Sequence, residues 1–147
     1  MSTFKTSRAF AAAPEAVFAA FAVPERLAKW WGPDGFSNTF ETFEFKPGGL
    51  WRFTMHGPDG TNYPNESTFV TIVPVRKIVI DVQHLSRHHF TLTIELARMA
   101  AGTLVTWEQA FENPDEAISV KHIVEPANEQ NLNRWQAEIA AGPSGGA

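Results

Sequence analysis

The chain of 147 residues contains no cysteine. That excludes a disulfide framework, a thiolate nucleophile and any cysteine-ligated metal. Long apolar runs are also missing, and none approaches the roughly 20 residues that span a bilayer. Met1 to Lys5 lacks the basic-then-apolar pattern of an export leader, so a cytoplasmic location is expected. Charge of one sign is scarce too: 12 basic against 16 acidic residues give a formal charge of −4, with no basic cluster. Nucleic acid is therefore not expected as the main partner. No serine sits in a nucleophile-elbow sequence, and no phosphate loop or dinucleotide motif is present.

Aromatic and apolar residues are plentiful. Hydrophobic residues make up 44% of the chain and aromatic ones 12%, including 12 Phe and 5 Trp. A chain of this length and composition can bury a large core as one domain, expected over residues 1–141. The glycine-rich end, residues 142–147, reads as a disordered tail.

Alternation from Thr3 to Ala11 predicts a first strand. Pro14 and Glu15 open a short helix with Val17, Phe18 and Phe21 as its apolar stripe, and Pro24 starts a second that Gly32-Pro33 stops. Six strands follow, from Phe36 to Phe111, with turns at Lys46–Gly49, Pro58–Gly60 and Ala101-Gly102. Apolar parity changes between Phe40 and Phe43, which predicts a bulge near Glu41-Thr42. Asn113-Pro114-Asp115-Glu116 is a strong helix start. Helical character runs to about Ala140, with a kink or break expected near Glu125 because Pro126 removes a donor. The order is α+β: a curved antiparallel sheet of about seven strands wrapped round a long C-terminal helix, with two short helices after the first strand.

Several segments carry a resemblance to a known family. They are Ala13–Phe18, Trp30-Trp31-Gly32-Pro33, Pro47-Gly48-Gly49, Pro58-Asp59-Gly60, Tyr63-Pro64-Asn65, Gly102-Thr103 and Asn128–Trp135. In their order and spacing the chain resembles the START-like helix-grip (SRPBCC) superfamily, and within it proteins similar to the activator of heat-shock protein 90 ATPase. The resemblance implies the helix-grip fold. It spans lipid carriers, phenolic binders, polyketide cyclases and chaperone activators, so it does not choose an activity.

Candidate site residues follow from strand parity and the expected cavity between sheet and terminal helix. Trp51, Phe53, Met55, Trp107, Phe111 and Trp135 read either as a cavity wall for a flat apolar ligand or as plain core. Trp30 and Trp31 are neighbours about 100° apart on a helix. One is expected to anchor the helices and the other to border the cavity mouth. Gln109 shares the inward parity of Trp107 and Phe111, and a buried amide needs a partner. Asn128, Asn131, Asn65 or a ligand oxygen could supply it. His84, His88 and His89 lie in one hairpin, but His88 and His89 point to opposite faces of a regular strand. No metal set and no cofactor is expected. The resemblance places His84 and His89 where similar residues recur, as hydrogen-bonding groups to a ligand. Glu95 and Glu108 are expected to face water, while Glu66 is ambiguous.

The leading expectation is a binding protein for a small hydrophobic or aromatic molecule. A chaperone-activating module and a cyclase-like enzyme are the alternatives. The additional N-terminal domain that eukaryotic chaperone activators carry is not expected here, which weighs against that role. A homodimer through a sheet edge or the terminal helix stays open.

Overall fold

A computed structural model describes residues 2–84 and 87–142, without the side chains of residues 84, 87 and 88. The chain runs β1 (Thr3–Phe10), α1 (Pro14–Ala22), α2 (Pro24–Trp30), β2 (Ser37–Phe43), β3 (Leu50–His56), β4 (Asn62–Val73), β5 (Lys77–His84), β6 (Arg87–Met99), β7 (Gly102–Phe111) and α3 (Pro114–Ala141). The seven strands form one antiparallel sheet in the order β1-β7-β6-β5-β4-β3-β2. Six of them meander through hairpins, and β1 returns to pair with β7. This is the helix-grip arrangement expected from the order of elements. The expected tail begins at Gly142, which caps α3; residues 143–147 lie outside the described residues.

Three bulges bend the sheet. One falls between Phe40 and Thr42 of β2, where the parity change predicted it. A second interrupts β4, where Phe69 pairs with Ile80 and Thr71 with Val79, leaving Val70 as the extra residue. The third lies in β6, where Val82 pairs with Phe90 but Gln83 pairs with His88, leaving His89 as the extra residue. Alternation therefore fails in this hairpin, and His89 joins Phe90 on the concave side.

Proline and cap chemistry open the helices as expected. Pro14 and Pro24 occupy first-turn positions of α1 and α2. The Asn113 side chain accepts from the backbone N–H groups of Asp115 at 2.9 Å and Glu116 at 3.3 Å, filling two orphan donors of α3. Of the kink or break expected near Glu125, the break does not occur, because α3 is continuous through Pro126. Both Pro126 and His122, whose carbonyl loses its helical donor, are exposed. Water can hydrate that carbonyl, so the missing bond does not end the helix. No helix among the described residues is long and apolar enough to cross a membrane.

The main core fills one end of the grip. Phe10, Val17, Phe21, Leu27, Trp30, Trp51, Phe69 and Trp135 are all 2% exposed or less. Trp30 and Trp135 stack with centroids 4.5 Å apart and planes 6° apart. Their indole N–H groups donate to α1 carbonyls, Trp30 to Ala20 at 2.9 Å and Trp135 to Val17 at 3.2 Å. A smaller cluster, Phe4, Phe111 and Ala117, seats the first turn of α3 on β1 and β7.

Candidate ligand-binding cavity

The tandem tryptophans part because α2 ends between them. Trp30 is the last helical residue, and Trp31 turns to extended backbone at φ −66°, ψ 131°. Trp31 meets Trp30 edge-on at 5.8 Å and packs 5.0 Å from Trp51 and 5.8 Å from Trp107. Both indoles are buried, but only Trp31 lines a cavity.

Helix α3 holds this turn from below. The terminal nitrogens of Arg134 lie 2.8–3.2 Å from the carbonyl oxygens of Lys29, Trp31, Gly32, Pro33 and Phe36. Those of Lys29 and the capping Trp31 are orphan carbonyls at the end of α2, which a cation satisfies well. Burial lowers the Arg134 pKa, and Asp34 opposes that shift. Asn131 accepts from Gly32 N–H at 3.2 Å and donates to Trp30 O at 2.9 Å. Gly32 has φ +98°, and a Cβ there would meet Met55 Cε at 2.7 Å. The segments Trp30–Pro33 and Asn128–Trp135, separate in sequence, are one structural unit.

The cavity measures about 490 Å³ and lies between the outer half of the sheet and the middle of α3. Trp31, Phe53, Met55, Phe90, Leu92 and Trp107 supply its apolar wall. Gln109, Asn128, Asn131, Asn65, Ser67 and His89 supply the polar positions. Tyr63 and Ile123, 45% and 58% exposed, stand at its rim. A wider groove of about 730 Å³ runs past the start of α1 and the β4–β5 turn. It is edged by exposed charges, among them the ion pair of Glu15 with Arg98.

Nine of the residues singled out from sequence line the cavity: Trp31, Phe53, Met55, Asn65, His89, Trp107, Gln109, Asn128 and Asn131. Four lie elsewhere. Trp30, Trp51 and Trp135 belong to the packed core, and Phe111 sits under the first turn of α3 against Phe4 at 5.7 Å. Trp51 shares a strand face with Phe53 and Met55, but Phe21 and Phe69 cover it. The side chain of His84 lies outside the described residues. Phe36, Ser67, Ile123 and Ala127 also contribute lining. Ser67 was findable, since it shares the inward parity of buried Phe69.

Gln109 Oε1 accepts from Asn128 Nδ2 at 3.0 Å, which settles its partner among the alternatives. Asn131 spends its amide on the tryptophan turn and Asn65 donates to Tyr63 O at 2.9 Å. His89 Nδ1 lies 3.0 Å from Glu116 Oε1, so a first-turn acid of α3 orients the ring. Glu66 is exposed beside Arg52 at 3.5 Å. Trp107 Nε1 and Ser67 Oγ are buried with no hydrogen-bond partner. Among the described residues no group of three His, Cys, Asp or Glu gathers as a metal site.

A seven-stranded grip closed by a long terminal helix, with a cavity under that helix, defines a protein of the START-like helix-grip class. Residues 11–141 match the family model described as Activator of Hsp90 ATPase homolog 1-like protein, and the chain belongs to that family. Among solved structures it is similar to a protein from Arthrobacter aurescens at 25% identity, covering 97% of this chain and 88% of that one, with a TM-score of 0.87. Protein NE0264 from Nitrosomonas europaea gives 20% identity, coverages of 95% and 94%, and a TM-score of 0.84. The AHSA1-like protein from Aeromonas hydrophila gives 16% identity, coverages of 95% and 92%, and a TM-score of 0.74. No curated protein matches the chain.

Proposed function

We propose that this protein, in the cytoplasm, binds a small, flat, largely apolar molecule in the cavity beneath α3. The observation that carries the reading is the lining itself: a space of about 490 Å³ walled by Trp31, Phe53 and Trp107, with amides from β7 and α3 on one side. Flat rings gain both area burial and ring–ring contact against such walls. Open space beside apolar side chains forfeits dispersion contacts that a ligand would restore.

Chaperone activation, the role in the family description, would call on an exposed surface. The deciding observation here is an interior one and favours a ligand. Titration of 2-naphthol against intrinsic tryptophan emission tests the reading, because Trp31 and Trp107 border the space. Saturable quenching is expected, and Ala127→Trp, which fills the cavity from α3, should abolish it. Linear quenching of equal slope in both proteins would contradict ligand binding.

A further inference from the structure

We infer that the cavity selects an uncharged ligand that carries a carbonyl beside an N–H or O–H group, as an amide, lactam or hydroxy-carbonyl does. This rests on the ligand-binding reading above and names the chemistry of its ligand.

The first ground is the pair Gln109–Asn128. One hydrogen bond of 3.0 Å joins the two amides. It uses one N–H of the Asn128 amide and one lone pair of Gln109 Oε1. The Gln109 amide nitrogen and the Asn128 carbonyl oxygen take no part in that bond. Exchanging oxygen and nitrogen on both residues keeps their mutual bond and again leaves one donor side and one acceptor side. Either way the wall presents a donor next to an acceptor, and a ligand with both groups side by side matches it.

The second ground is independent. Trp107 and Ser67, 3% and 1% exposed, line the same cavity with Nε1 and Oγ lacking a partner. An indole N–H can only donate. A buried donor without a partner carries its full desolvation penalty, so an acceptor oxygen arriving there recovers it. Carbonyl oxygen, with two lone pairs, can take more than one such donor.

Charge supplies the third. Among the described residues that line the cavity there is no Asp, Glu, Lys or Arg. The imidazole of His89 is paired with the Glu116 carboxylate, so a proton on it is already balanced. A carboxylate or phosphate entering this space would lose its water and meet no countercharge, which disfavours it strongly. A neutral amide loses much less and regains hydrogen bonds.

The test uses three ligands with one naphthalene ring: 1-naphthaleneacetamide, 1-naphthaleneacetate and 1-ethylnaphthalene, titrated at pH 7 by calorimetry or tryptophan emission. The acetamide is expected to bind at least tenfold more tightly than the acetate. Gln109→Leu should weaken the acetamide about tenfold and leave 1-ethylnaphthalene unchanged. Trp107→Phe, which keeps a ring but removes the N–H, should act in the same direction and serves if the first variant misfolds. Acetate binding as tight as acetamide, or acetamide affinity untouched in both folded variants, would overturn the inference while leaving the cavity a binding site. Binding of none of the three would overturn the ligand-binding reading as well.

Discussion

The two halves of α3 are built on different principles. From Asn131 to Ala141 the helix is gripped. Trp135 stacks on Trp30, Arg134 gathers five carbonyls, and Arg26 pairs with Glu138 at 2.9 Å with both side chains 9% exposed. Arg8 adds contacts from β1 to Glu129, Asn133 and Gln136. From Pro114 to Ala127 the only buried residue is Ala117, and Ile118 and Ile123 are 66% and 58% exposed. This first half rests on Phe4, Phe90 and Phe111 and roofs the cavity. One helix thus serves as a core element at one end and as a cover at the other. Stability and ligand access can be changed separately.

Four substitutions break or sharpen that contrast. Glu138→Ala leaves the Arg26 guanidinium buried without its carboxylate, a loss of about 3–5 kcal/mol by urea unfolding. Arg134→Ala frees the carbonyls of the tryptophan turn and is expected to cost about 2–3 kcal/mol. It should also weaken 2-naphthol binding, since Trp31 loses its support; unchanged binding would separate the turn from the cavity wall. Pro126→Ala restores a helical donor in the cover and should raise stability by about 1 kcal/mol, read as a higher urea midpoint. Slower amide exchange confined to residues near 122–127 would show that the proline, and not shallow packing, sets the looseness there. Ile118→Ser, on the exposed side of the cover, should change stability by less than about 0.5 kcal/mol. A large loss would mean that this face is covered.

Much of the fold was legible because alternation and turn chemistry are local signals. The β2 bulge showed as a parity change between Phe40 and Phe43, both apolar enough to report it. The β6 bulge at His89 left no such mark, since His88 and His89 are both polar and alternation carries no contrast there. Parity also correctly sent Glu95 and Glu108 outward. It gives a residue's face but not its position along the grip. Trp51 and Met55 share a face of β3, yet Trp51 lies beneath α1 while Met55 reaches the open end. That distinction depends on where α1 and α2 cover the sheet. Different roles for Trp30 and Trp31 were expected from helix geometry, but it is the end of α2 between them that separates the two; the Trp30–Trp135 stack, across more than a hundred residues, was not expected. Glu116 was read as a first-turn acid only, because its partnership with His89 forms through tertiary contact.

Hydrogen exchange along α3, measured with and without saturating 1-naphthaleneacetamide, tests the central claim most directly. Amides of residues 114–128, over the cavity, should exchange more slowly when the ligand is bound, while those of residues 131–141 stay as protected as before. Equal protection of both halves, or no slowing in the first, would contradict a helix that is core at one end and ligand cover at the other.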